Sequence, residues 1–285
     1  MKIGKIVMAV AVVISCGAGA VFAEDSTKSS TVGGSFDSKV TTGNVNQTTE
    51  GKENRQNMSV GSVEGSKIDG NFFSNVETGN IQQKSTGSKN EQNLSVGSVQ
   101  GSKVGDFNAK EVKTGNISQT IDGGGSQNRQ DMAVGSVQNN SNIKNFDASV
   151  KTGNLTQEIK GGDKSTQEML IGTANNTDVK GGTFKTDVDV KNVSQTSKDS
   201  GNNQSVMIGS AKDSTVKGGS FDSKVVVTGD ISQSAEKNTK QDLMLGSMKN
   251  AEVGTFKSDV KVKGSITQSA TGDGHSQSAT FGSVK

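Results

Sequence analysis

The sequence has no proline, tryptophan or tyrosine, one histidine and one cysteine. Each scarcity excludes something. A single cysteine, Cys16, lies inside the apolar leader described below, so a chain cut after that leader has no disulfide and no thiolate chemistry. The lone histidine, His275, sits in a polar loop, Thr271-Gly272-Asp273-Gly274-His275-Ser276, without the partners that a triad or a zinc site needs. Absence of proline argues against a disordered linker, which is usually rich in it. It suits a continuous β-ladder, because proline cannot donate a ladder hydrogen bond. The longest apolar run is ten residues, Ile6 to Ser15, and a membrane-spanning helix needs about 20.

That run belongs to a signal sequence. Lys2 and Lys5 precede it, and Val21-Phe22-Ala23 offers small residues for cleavage before Glu24 and Asp25. The expected boundaries are a leader over 1–23 and one elongated β-repeat domain over 24–285. Val13-Ile14-Ser15-Cys16 offers the alternative of a lipobox, with Cys16 acylated and the protein held at the outer membrane. Either route places the protein outside a bacterial cell or on its surface. Two of the 31 basic side chains fall in the leader, so the remainder balances the 29 acidic ones. A nucleic-acid binder would show clustered positive charge, which is missing here. Zero net charge also removes a barrier to self-association.

What the sequence does have is repetition. The motif Gln-x-φ-x-φ-Gly-Ser/Thr, with φ apolar, occurs seven times, beginning at Gln56, Gln92, Gln130, Gln167, Gln204, Gln241 and Gln277. The steps between copies are 36, 38, 37, 37, 37 and 36 residues. A second motif, Asn/Asp/Ser-Ile/Val/Leu-x-Gln, precedes each copy and supplies Gln47, Gln83, Gln119, Gln157, Gln195, Gln233 and Gln268. A phenylalanine followed four residues later by valine opens each unit, as in Phe36/Val40, Phe72/Val76 and Phe146/Val150. Phe107 meets its valine one residue late, at Val112, which predicts a bulge. The octapeptide Gly33 to Val40 recurs unchanged as Gly218 to Val225. The repeats run approximately over 31–67, 68–102, 103–141, 142–179, 180–216, 217–252 and 253–285.

All three motifs alternate apolar and polar residues with period two, the pattern of strands with one face turned inward. The polar stretch between the two Gln motifs varies in length and is rich in Gly, Asn and Asp, so it reads as an exposed loop. Each unit thus carries three short strands and a further apolar point after the Gly-Ser turn, at Ile68, Val104, Ile143, Val179, Val216 and Val253.

One unit has too little apolar surface to fold alone, and stacked units bury it against each other. The expected fold is all-β, a parallel β-solenoid with one unit per coil. Seven coils at the ~4.8 Å strand spacing would make a body about 34 Å long. Inward glutamines then become useful, because side-chain amides bond up and down a ladder. An antiparallel sheet of hairpins uses the same strands and is the alternative. No atypical capping unit follows the seventh motif, so the coil ends are expected to invite end-to-end stacking.

The stretch Asn116-Ile117-Ser118-Gln119, Gly123-Gly124-Gly125, Asn128 and Gln130 resembles the repeat of curlin, the subunit of bacterial curli fibres. The resemblance extends loosely over all seven units; the Phe-x-x-x-Val strand and the Gly-Ser turn have no counterpart in that repeat. It implies a secreted functional amyloid of the biofilm matrix.

No catalytic, cofactor-binding or metal-binding residues are expected. Asp187 and Asp189 share a strand face, but Val188 and Val190 point inward, so both carboxylates should be solvated rather than paired for acid–base work. Aspartates drift in position between units, unlike those of calcium-binding Gly-Asp repeats. The expectation is a non-enzymatic, self-associating fibre or matrix subunit without a cofactor. The alternative is a surface-displayed adhesin or polysaccharide-binding solenoid, lipid-anchored through Cys16.

Overall fold

The computed structural model describes residues 31–50, 53–87, 89–122, 127–161, 164–198 and 201–285. The leader, Cys16 and parts of the loops between the two Gln motifs lie outside the described residues. Every described element is a strand, and every pairing between strands is parallel. The chain is a β-solenoid, and the parallel pairing rules out the hairpin alternative.

Each rung visits three faces. The first face carries Phe36–Thr42, Phe72–Thr78 and Phe107–Thr114, then the later parts of the longer strands Val137–Thr152, Ala174–Val190, Thr215–Val227 and Glu252–Val262. The second is a seven-stranded sheet of Val45–Glu50, Ile81–Thr86, Ile117–Asp122, Leu155–Lys160, Val193–Lys198, Ile231–Glu236 and Ile266–Thr271. The third is another seven-stranded sheet, from Gln56–Val60 and Gln92–Val96 up to Gln241–Leu245 and Gln277–Phe281. Register places each motif on its own copy: Phe36 on Phe72, Gln47 on Gln83, Gln56 on Gln92. One sequence unit is therefore one coil. At Phe107 the register slips between Ala109 and Val112, the bulge that the late valine predicts.

Inside, like stacks on like. Phe72, Phe107, Phe146, Phe184 and Phe221 are fully buried. Their rings, with Phe36 and Phe256 at either end, form one column with centroids 4.5 to 5.7 Å apart. Such spacing lets each ring bury both of its faces and adds aromatic attraction to the area removed from water. Valines of the first face, Val, Ile or Leu of the second and Val, Met, Leu or Ile of the third complete the core.

The Gly-Ser turn closes the third face. Gly61, Gly97, Gly135, Gly172, Gly209, Gly246 and Gly282 all have φ between +50° and +59°. A Cβ at Gly135 would lie 2.4 Å from Val150 Cγ2, so both the backbone and the space demand glycine. Four residues further on, a second left-handed residue turns the chain again: Gly65, Gly101, Asn139, Asn176, Asp213 and Asn250. Asn and Asp are the L-residues that tolerate this conformation best.

Candidate functional site

The interior and corners are lined by polar ladders, three of which keep one direction; the third-face glutamines do not, Gln56 and Gln92 donating to the later rung and Gln241 and Gln277 to the earlier one. On the second face Gln83 Nε2 donates to Gln47 Oε1 at 2.8 Å, and the bond repeats from Gln119, Gln157, Gln195, Gln233 and Gln268 to the rung before, at 2.7 to 2.9 Å. The second amide hydrogen goes to a third-face carbonyl, as from Gln119 to the Asp131 carbonyl at 3.0 Å. At the corner between the first two faces the backbone N–H of Asn80 donates to Asn44 Oδ1 at 2.8 Å, and the same bond recurs up to Ser265 on Asp230. At the Gly-Ser turn the Ser98 N–H donates to Ser62 Oγ, Ser136 to Ser98 and Ser283 to Ser247. In these three ladders the later rung donates and the earlier accepts.

Within the chain each of these ladders stops at the terminal rungs. Ile266, Phe281 and Val284 of the last rung are 40%, 42% and 52% exposed, whereas their partners one rung down, Ile231, Leu245 and Met248, are at most 1% exposed. Phe36 and Phe256 each stack on one ring only. The last rung thus presents core side chains, and among the described residues the strands of the first and last rungs pair on one side only, the feature that most invites another chain. This is the candidate site.

Two features of the lateral surface were not legible as strand alternation. The polar loop before each third-face strand turns its last side chain inward: Asn54, Asn90 and Asn128 are buried and linked, Nδ2 to Oδ1, at 3.1 Å. The outward side of the third face is also partly closed. Leu170, Met207 and Met244 form a separate buried cluster. Beside them Glu168 accepts from Asn175 Nδ2 at 3.1 Å and Asp242 from Lys249 Nζ at 3.3 Å, each reaching seven residues along the chain. The corner after the Gly-Ser turn is therefore concave. Asp131, in register with Glu168, lies in it 2.8 Å from Arg129 Nε. Burial pushes the Asp131 carboxyl up to about 6, against the pull of Arg129, and burial raises Glu168 as well.

His275 is exposed in its loop. Asp187 is exposed and paired with Lys224 at 3.2 Å, and Asp189 stands half-buried beside it on the outer face. Among the described residues no three His, Cys, Asp or Glu side chains are grouped to hold a metal ion, and no helix is long and apolar enough to cross a membrane. One open surface depression, about 390 Å³, is lined by Asp178, Val179, Lys180 and Thr215. Comparison with protein-family models, with curated proteins and with solved structures gave no match.

Proposed function

We propose that the chain is an exported structural subunit that assembles through the ends of its solenoid into a fibre, as in a curli-like component of a bacterial biofilm matrix. The reading is carried by the last rung, whose core side chains Ile266, Phe281 and Val284 are half-exposed while the same positions one rung inward are buried. Burying them against a second copy removes apolar surface from water at about 25 cal/mol per Å² and closes the open strand edges. Translation along the solenoid axis is a heterologous contact that does not close on itself, so it yields filaments rather than rings. The signal sequence, the balanced charge and the absence of proline agree with this role.

The test uses the chain from Glu24 to Lys285, the form that cleavage of the leader leaves, diluted out of denaturant. Light scattering, thioflavin T fluorescence and negative-stain microscopy should report fibres, with a meridional reflection near ~4.8 Å. A β-rich species that stays monomeric at high concentration would overturn the reading and turn attention to a surface-displayed adhesin.

A further inference from the structure

The outer side of the first face carries charge in alternating columns. Asp147, Lys185, Asp222 and Lys257 are successive register partners, and so are Asp187, Lys224 and Asp259. Lys224 lies 3.2 Å from Asp187, and Lys257 lies 3.9 Å from Asp222. Opposite charges directly across neighbouring strands attract, and like charges repel. The columns end at Lys257 and Asp259 on the last rung. The first rung offers Asp37 and Lys39 at the same two positions, inside the octapeptide Gly33 to Val40 that also forms Gly218 to Val225. That second octapeptide is the strand on which the last rung already sits. A first rung placed on the far side of the last rung would thus repeat the neighbour that the last rung has within its own chain.

Except for the third-face glutamines, where Gln56 and Gln92 donate toward the later rung, the polar ladders point the same way. Their donor ends open at the first rung, on Gln47, Asn44 and Ser62, and their acceptor ends at the last, on Gln268, Ser265 and Ser283. Two first rungs face to face would set donors against donors in these ladders.

We propose that copies of this chain join head to tail. The first rung of one copy, from Val32 to Val63, seats in register on the last rung of another, from Val253 to Val284. The pairs Asp37–Lys257 and Lys39–Asp259 select that register. Phe36 then extends the phenylalanine column from Phe256, Val45 covers Ile266, and Val60 and Val63 cover Phe281 and Val284. Gln47 donates to Gln268 across the junction. This inference rests on the end-to-end assembly proposed above and specifies its junction.

The test is the double exchange Asp37→Lys with Lys39→Asp. The in-chain partners of these residues, Phe73 and Asn75, carry no charge, so the exchange leaves the fold intact, which circular dichroism of the monomer checks. Two attractive pairs become repulsive, and the critical concentration for fibres should rise about tenfold or more at low salt. The defect should shrink as salt approaches about 1 M. Wild-type seeds given wild-type chain and excess variant should elongate at one end only. The variant's normal last rung adds to one end of the seed and then blocks it. If wild type forms fibres and the variant forms them at the same concentration, the junction is wrong while end-to-end assembly stands. If wild type forms none, the assembly reading falls and the junction with it.

Discussion

Gln119→Leu tests whether the glutamine ladder stabilises the solenoid or merely occupies it. Gln119 is fully buried and makes three hydrogen bonds. It donates to Gln83 Oε1 at 2.7 Å and to the Asp131 carbonyl at 3.0 Å, and accepts from Gln157 Nε2 at 2.8 Å. Leucine nearly preserves the volume but leaves two acceptors and one donor short of a partner. Each such buried group costs about 1–3 kcal/mol. Burying a leucine side chain returns about 1.5–3 kcal/mol. The net loss should be about 2–5 kcal/mol, read as a fall in the urea midpoint by circular dichroism of the monomer. Gln268→Leu is the paired control. Gln268 also donates twice, at 2.8 and 3.2 Å, but it is only partly buried and water can take over its partners. Its loss should stay below about 1 kcal/mol. A Gln119→Leu chain as stable as wild type, or no more affected than Gln268→Leu, would refute the idea that the interior ladder carries stability.

Gly135→Ala should cost about 2–5 kcal/mol from its left-handed backbone and the overlap with Val150 Cγ2; adding Val150→Ala should relieve the overlap but not the backbone part, as thermal melts of both variants would show. Phe184→Ala, which breaks ring stacks of 4.5 and 4.6 Å, should cost about 3–5 kcal/mol, and Phe256→Ala at the half-exposed end distinctly less by the same melts. Asp131 has its folded pKa raised from 3.8 to about 6, so its contribution is fully present below pH ~4 and is lost as pH rises through ~6. At about 1.4 kcal/mol per unit that is about 3 kcal/mol; Glu168 shifts in the same direction, and Asp131→Asn should flatten the fall in urea midpoint between pH ~4 and ~7.

The repeat was legible because its physical requirements are local and recur in every coil. Phe at one position and Val four residues later can only alternate inward on a strand, and the slip at Phe107 was readable from a single extra residue. Gln47 and its counterparts were legible as ladder residues, since an inward glutamine in a strand needs a partner of its own kind. Parallel pairing was not decided by alternation, which hairpins would share; register settles it. The concave corner was hidden for a different reason. Met169-Leu170-Ile171 and Val206-Met207-Ile208 are runs of three apolar residues, and period two assigns their middle member to solvent. Those middle residues are buried because Gly172 and Gly209 turn the chain back over the outer side of the strand. The inward Asn of the loop was masked by composition, because Asn beside Gly and Asp usually marks a turn. The candidate site was partly legible. The half-exposed Ile266, Phe281 and Val284 fall in the seventh copy of the repeat, but the charge columns appear only once register shows which residues are neighbours.

In the proposed assembly, a ladder of like rungs would make folding and assembly the same process. An inner rung gains from two neighbours and a terminal rung from one, so local stability in the isolated chain must fall toward the ends. The half-exposed Ile266, Phe281 and Val284 mark that loss at one end. The proposed junction would turn two terminal rungs into inner ones with the kinds of ring stack and charge pair that the chain already uses internally. No new chemistry is needed at the junction, and no side chain has to be set aside for it. Under the proposed assembly, stability of the terminal rungs would become a function of protein concentration, by mass action, while that of the Phe184 rung would change little. Specificity then falls to what differs between rungs, and on the first face that is the sign of the charge at Asp37, Lys39, Lys257 and Asp259.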